Sequence, residues 1–102
     1  MRTAKVFVNQ VLAGRLIERK KQNEYVFSYE DGYQGPPVSL TMPIQQKTYE
    51  FDKFPSFFEG VLPEGQQLEA LLRQAKLDRS DYFGQLVRIG VDLVGAVSVE
   101  EE

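Results

Sequence analysis

Phe54-Pro55-Ser56-Phe57-Phe58-Glu59-Gly60-Val61-Leu62-Pro63-Glu64-Gly65-Gln66-Gln67-Leu68-Glu69-Ala70-Leu71 divides this 102-residue chain into a strand-rich half and a helical half. Three phenylalanines, two prolines and two glycines fall within it. Proline fixes φ and glycine permits sharp turns, so its first part reads as a rigid, bulky loop. One short turn does not readily bury Phe54, Phe57 and Phe58 on a single side, so at least one ring is expected near the surface. Exposed aromatics beside a rigid loop are typical of binding hot spots. Beyond the loop, Leu68, Leu71, Leu72 and Ala75 recur at i, i+3, i+4 and i+7, one face of a helix that starts near Pro63 or Glu64.

Upstream, the pattern is that of strands. Val6, Phe7 and Val8 are strong strand formers, Asn9-Gln10 suits a tight turn, and Gly14 suits a bulge or a close approach. The charged run Arg15 to Lys21 leads through Gln22-Asn23 into Glu24-Tyr25-Val26-Phe27-Ser28-Tyr29, a second strand region. Asp31-Gly32 marks a turn. Gly35-Pro36-Pro37 forces an extended connection, and Val38-Ser39-Leu40-Thr41-Met42 alternates as a strand stopped by Pro43. Lys47 to Phe51 reads as a short edge strand. Downstream, Asp78 is the expected helix cap with Asp81 in the first turn. Tyr82, Phe83, Leu86 and Val87 form the expected buried stripe, and Gly90 the stop. Val91 to Val99 then turns into a last strand.

The expected fold is α+β: a small curved antiparallel sheet, two short packed helices and a final strand. It forms one domain over 1–102, strand-rich over 3–51, loop and helices over 54–90, and a last strand over 95–99. Phe7, Phe27, Phe83 and Phe57 are the expected core rings. A folded body of this size buries roughly 65% of the surface its unfolded chain exposes, enough for one modest core.

Composition excludes much chemistry. There is no cysteine and no histidine, which removes disulfides, thiolate chemistry, imidazole catalysis and the usual zinc sites. The net charge of −3 argues against holding nucleic acid unaided. No run approaches the roughly 18 to 20 apolar residues of a membrane span. A soluble, cytoplasmic protein is the expectation.

The search for a reaction is largely negative. Glu59 and Glu64 straddle the Gly60-Val61-Leu62-Pro63 turn as a conceivable carboxylate pair, but solvated acids flanking a turn explain them more simply. The glycines belong to no strand, glycine loop and lysine arrangement that cradles phosphate. Arg15, Arg19, Lys20 and Lys21 form the one local basic patch. They read as a solvated hairpin tip, or as a contact with an acidic partner surface or with DNA inside a larger assembly. No catalytic, cofactor or metal residue is assigned.

Three separately placed segments, in order, resemble the N-terminal subdomain of HipA-type serine/threonine kinase toxins. These are Val6-Phe7-Val8-Asn9 through Val11-Leu12-Ala13-Gly14-Arg15-Leu16, the Phe54 to Gly65 motif, and Asp81-Tyr82-Phe83-Gly84-Gln85-Leu86-Val87 with Gly90 to Val97. The Phe54 to Gly65 motif is the most specific, and coverage is essentially the whole chain. A lone copy of this subdomain resembles the HipS antitoxins of HipBST toxin–antitoxin systems. There a shortened HipT kinase lacks the subdomain, HipS supplies it in trans, and a HipB-like component carries the DNA-binding domain.

The resemblance implies a non-catalytic antitoxin that binds and neutralises a HipT-like kinase, within a complex containing a HipB-like protein. It also leaves open an accessory stabilising or regulatory subunit, or an N-terminal fragment of a full HipA-like kinase. The start at Met1 and the acidic end at Glu102 suit a free-standing protein. The expected partner-binding residues are Phe54, Phe57, Phe58, Glu59, Leu62, Pro63, Glu64, Gln66 and Gln67. One departure stands out: the family often carries a bulky aromatic or basic side chain after Leu-Pro-Glu-Gly, and this chain has Gln66-Gln67. Glutamine hydrogen-bonds in a cleft but contributes little hydrophobic anchoring.

Overall fold

The computed structural model of the chain describes residues 1–90 and 95–102. In chain order the elements are β1 (Arg2–Val8), β2 (Val11–Lys20), β3 (Glu24–Tyr29), β4 (Thr48–Phe51), α1 (Ser56–Glu59), α2 (Gly65–Ala75), α3 (Tyr82–Ile89) and β5 (Val97–Glu101). The strands form one antiparallel sheet in the order β4-β3-β2-β1-β5. The last strand therefore returns to pair with the first and closes that side of the sheet. The part of the expected final turn that falls on Val91 to Val94 lies outside the described residues.

Local sequence explains the sheet. Asn9 and Gln10 both take positive φ, 51° and 68°, as a two-residue hairpin turn with right-handed strand twist requires. The β1–β2 register then shifts between Val6 and Phe7, where Val6 faces Gly14 and Phe7 faces Leu12, leaving Ala13 as the extra residue of a bulge. Gly14 is needed there, because a Cβ would stand 2.3 Å from the Ser28 carbonyl oxygen. Ala4, Val6 and Val8 alternate as the buried positions of β1. With Leu16, Phe27, Phe58, Phe83 and Leu86 they make the core between the sheet and the helices. Gly90 ends α3 hard against β5, where a Cβ would come within 1.8 Å of the Val99 carbonyl oxygen.

Several expectations are corrected. Residues 38–42 form no strand; they make a tight turn closed by one bridge between Ser39 and Met42. Val38 and Met42 are buried while Leu40, which a strand would place on their face, is 94% exposed. The Tyr29 hydroxyl holds this turn, accepting from the Val38 N–H at 3.0 Å and donating to the Met42 carbonyl oxygen. Pro55 to Gly60 is not wholly loop, since α1 adds a third, one-turn helix. Asp81, not Asp78, caps α3 by accepting from the Gly84 N–H at 3.0 Å. Starting there, α3 buries Phe83, Gly84, Gln85 and Leu86, and leaves Tyr82 exposed. Phe7 is only half-buried, and Phe58 rather than Phe57 is the core ring. Arg15 is not at a hairpin tip but mid-strand in β2, paired with Glu30 and, at 3.0 Å, with Glu102.

Candidate partner-binding surface

The Phe54 to Gly65 motif works by burying two of its rings and presenting the third. Phe54 meets the edge of Tyr25 at 5.2 Å between ring centroids, and Phe58 sits 6.2 Å from Phe27. Both rings are inside, Phe58 completely. Between them Pro55 begins α1, where its carbonyl oxygen accepts from the Glu59 N–H at 3.0 Å. Bonds from Val61 N–H to Phe58 O (3.3 Å) and Leu62 N–H to Glu59 O (3.2 Å) then wind the chain into a compact turn. Phe57 is left on the other side of α1, edge-on to Phe58 at 5.2 Å and half-exposed.

That arrangement opens a groove of about 840 Å³. Phe57, Val61, Leu62 and Pro63 contribute from the motif, Gln67 from α2 and Ile89 from the end of α3. Glu64 lines it too, at the start of α2. Glu59 and Gln66 are exposed but lie outside the lining. Of the nine expected partner-binding residues, Phe57, Leu62, Pro63, Glu64 and Gln67 thus converge on one feature. Phe54 and Phe58 are instead the supports behind it. Sequence reasoning missed Val61 and Ile89. Val61 carried a usable signal, an apolar β-branched side chain in a turn between Gly60 and Pro63, where burial in the core is not required.

The neighbouring helix shares this openness. Leu68, Leu71, Leu72 and Ala75 lie on one face of α2, yet no residue of that helix is buried. The α2 N-terminus also lacks a side-chain cap, because Glu64 makes no capping hydrogen bond. Its end is orderly: Lys76 takes the left-handed conformation at φ 56°, and its N–H bonds to the Leu72 carbonyl oxygen.

The helix that carries Ile89 is tied to the sheet by a charge cluster that spans the fold. Arg2 on β1 donates from Nε to Glu18 Oε1 at 2.7 Å and from Nη2 to Glu18 Oε2 at 2.9 Å and to Asp81 Oδ1 at 2.8 Å. Its guanidinium lies 4.9 Å from the centre of the Phe83 ring. Glu18 also accepts from the Gln22 N–H at 3.1 Å. Burial alone pushes both carboxyls up, but the Arg2 hydrogen bonds, the backbone N–H of Gln22 or Gly84 and the Arg2 charge outweigh it. Glu18 and Asp81 are therefore held below their ordinary values. The nearby Tyr25 hydroxyl is pushed up to about 12 by burial and by the Glu18 charge. Because Asp81 caps α3, this cluster also sets where Ile89 stands.

The basic patch is matched from within. Arg19 lies 3.7 Å from Glu24 and 3.8 Å from Glu50, and Lys20 lies 3.8 Å from Glu24. Such exposed pairs contribute little stability, but they offset the charge of Arg19 and Lys20. Among the described residues no helix is long and apolar enough to cross a membrane.

Comparison with known proteins agrees with this architecture. A sequence model described as the HipA N-terminal domain matches residues 4–100. An uncharacterized protein of Haemophilus influenzae (strain ATCC 51907 / DSM 11121 / KW20 / Rd) is 34% identical over 102 residues, which are all of this chain and 94% of that one. The solved N-terminal domain of HipA toxin superposes with a TM-score of 0.77 at 31% identity, covering all of this chain and 93% of that one. Both named matches fall on the N-terminal domain of HipA. Matched over residues 4–100 by that family model and along its whole length by the relative and the solved domain, the chain belongs to the HipA N-terminal domain family.

Proposed function

We propose that this chain is a HipS-like antitoxin, a cytoplasmic protein that binds a HipT-like kinase toxin and neutralises it by supplying the N-terminal subdomain in trans. A HipB-like DNA-binding protein would complete the assembly. The observation that carries the reading is the partly exposed apolar lining of the groove, next to an α2 with no fully buried residue. An amphipathic helix with no fully buried residue keeps part of its apolar face open, and association is how a separate domain covers it. The Haemophilus relative supports the reading, because a protein of nearly this length carries the same domain.

An accessory subunit that binds the kinase without silencing it is the second reading, and Gln66-Gln67 is what favours it. Neither residue supplies a large wedge for an active site.

Co-expression with the HipT-like kinase of the same genome tests both readings. Wild-type chain should restore growth and lower kinase phosphorylation. Leu62→Ala should weaken kinase binding by about 2 kcal/mol, roughly thirtyfold, as for a central apolar anchor. Growth arrest that persists although the wild-type chain binds would favour the accessory reading. Absence of any binding would end both.

A further inference from the structure

The groove's composition narrows what fits it. Its floor is apolar, from Phe57, Val61, Leu62, Pro63 and Ile89, while among the described residues its only charged lining residue is Glu64. Glu59 stands next to the lining residue Gly60 and is exposed. Among the described residues neither acid has an ion-pair partner, whereas Glu18, Glu24, Glu30, Glu50 and Glu69 each face a cation. Arg88 neighbours Ile89 along α3 but opens onto a different groove, with Gln74 and Leu77. The open amides at the start of α2 bring about half a positive charge to the same lip. Two carboxylates exceed it, so the lip stays negative.

We infer that this groove receives an apolar segment of the kinase flanked by lysine or arginine, with Glu59 and Glu64 as the charged lip that steers it in. The inference rests on the neutralisation reading for the partner's identity. A second copy of this chain is a poorer occupant. A two-fold interface would bring two acidic lips together, and the chain already carries a net charge of −3. A phosphate backbone is repelled for the same reason. A small molecule is disfavoured because an open groove does not enclose most of a ligand's surface.

The test compares association of the full-length HipT-like kinase with wild-type chain, Glu59→Lys/Glu64→Lys, Glu59→Gln/Glu64→Gln and Glu100→Lys. Glu100 is an exposed acid on β5, away from the groove. At an ionic strength of about 0.05 M the double reversal should slow association about tenfold and the neutral pair about threefold, with Glu100→Lys within about twofold of wild type. Those differences should shrink at about 0.5 M salt, where the screening length is a few ångströms. The neutral pair keeps the test sound if lysine at position 64 frays α2. Lip variants that associate as fast as wild type, or a Glu100→Lys effect equal to theirs, would overturn the inference while leaving neutralisation standing. Sedimentation of the wild-type chain as a dimer that Leu62→Ser disperses would overturn it in favour of a second copy. Failure of the wild-type chain to bind at all would remove the neutralisation reading and this inference with it.

Discussion

The sheet with α3 and the segment from Phe57 through α2 use similar amounts of apolar sequence to opposite ends. In the first, Ala4, Val6, Leu16, Phe27, Phe83 and Leu86 lose all contact with solvent. In the second, Phe57, Val61, Leu62, Leu68, Leu71 and Leu72 are all left half-exposed. The same side-chain chemistry is thus core in one place and surface in the other. The difference lies in what packs above each. The sheet face is covered by α1 and α3, whereas α2 has mainly α3 beside it. Full burial is concentrated in the first region, and the second leaves part of its apolar surface open to solvent.

The boundary between the two regions runs through α1, between Phe57 and Phe58, and truncation there is the strongest way to break the comparison. Phe58→Ala removes a fully buried ring and should destabilise the chain by about 3–5 kcal/mol, read from urea unfolding. Any loss of kinase binding in this variant would follow from loss of fold. Leu62→Ala, on the groove side, should cost no more than about 1 kcal/mol of stability and yet lose binding. A stable Phe58→Ala protein that has lost only binding would move the interface onto the ring that the structure buries.

The next effect concerns how α3 is tied to the sheet. Glu18 and Asp81 ionise more readily in the fold than in the unfolded chain, so their pairs with Arg2 stabilise the protein at neutral pH. That contribution is fully present above their ordinary values of 4.5 and 3.8, and is lost as pH falls through the lower folded values. Arg2→Met should therefore destabilise by about 2 kcal/mol at neutral pH, less than a fully buried pair because Arg2 is partly exposed. Without Arg2, burial pushes both carboxyls up, so their protonation relieves the variant while it weakens the wild type. Unfolding midpoints measured from about pH 7 to pH 3 should converge. Parallel curves across that range would show that the cluster carries no linkage.

Much of the sheet was legible because its signals are local. Asn9-Gln10, Gly14, Asp31-Gly32 and the aromatic run of β3 each mark a turn, a bulge or a strand within a few residues. The cluster around Arg2 was not, since its partners lie 16 and 79 positions away and no local pattern announces the pairing. The same distance hid the choice of cap: Asp78 and Asp81 are both good cap residues, and Arg2 reaches the second. The one-turn α1 is too short to show a period. For the candidate surface, composition pointed to the Phe54 to Gly65 segment but not to which of its rings are buried. Three rings within five positions look alike in sequence, and only the register of α1 sends Phe54 and Phe58 inward and Phe57 outward.

The smallest effect tests the place where pattern misled. Val38, Leu40 and Met42 alternate as a strand would, and a strand would bury all three on one face. Pro36-Pro37 and Pro43 bracket them too closely for a ladder, and the Tyr29 hydroxyl offers the backbone a better partner. The chain folds over that hydroxyl, burying Val38 and Met42 beside it and turning Leu40 out to solvent. Leu40→Ser should then change stability by no more than about 0.5 kcal/mol, whereas a buried leucine in a strand would cost several times that. Tyr29→Phe is the paired measurement, because it leaves the ring in the core and removes only the hydroxyl that closes the turn. It should cost about 1 kcal/mol or more, through the Val38 N–H and Met42 carbonyl left unpaired. A large loss from Leu40→Ser with none from Tyr29→Phe would restore the strand and move the edge of the well-packed region past β4.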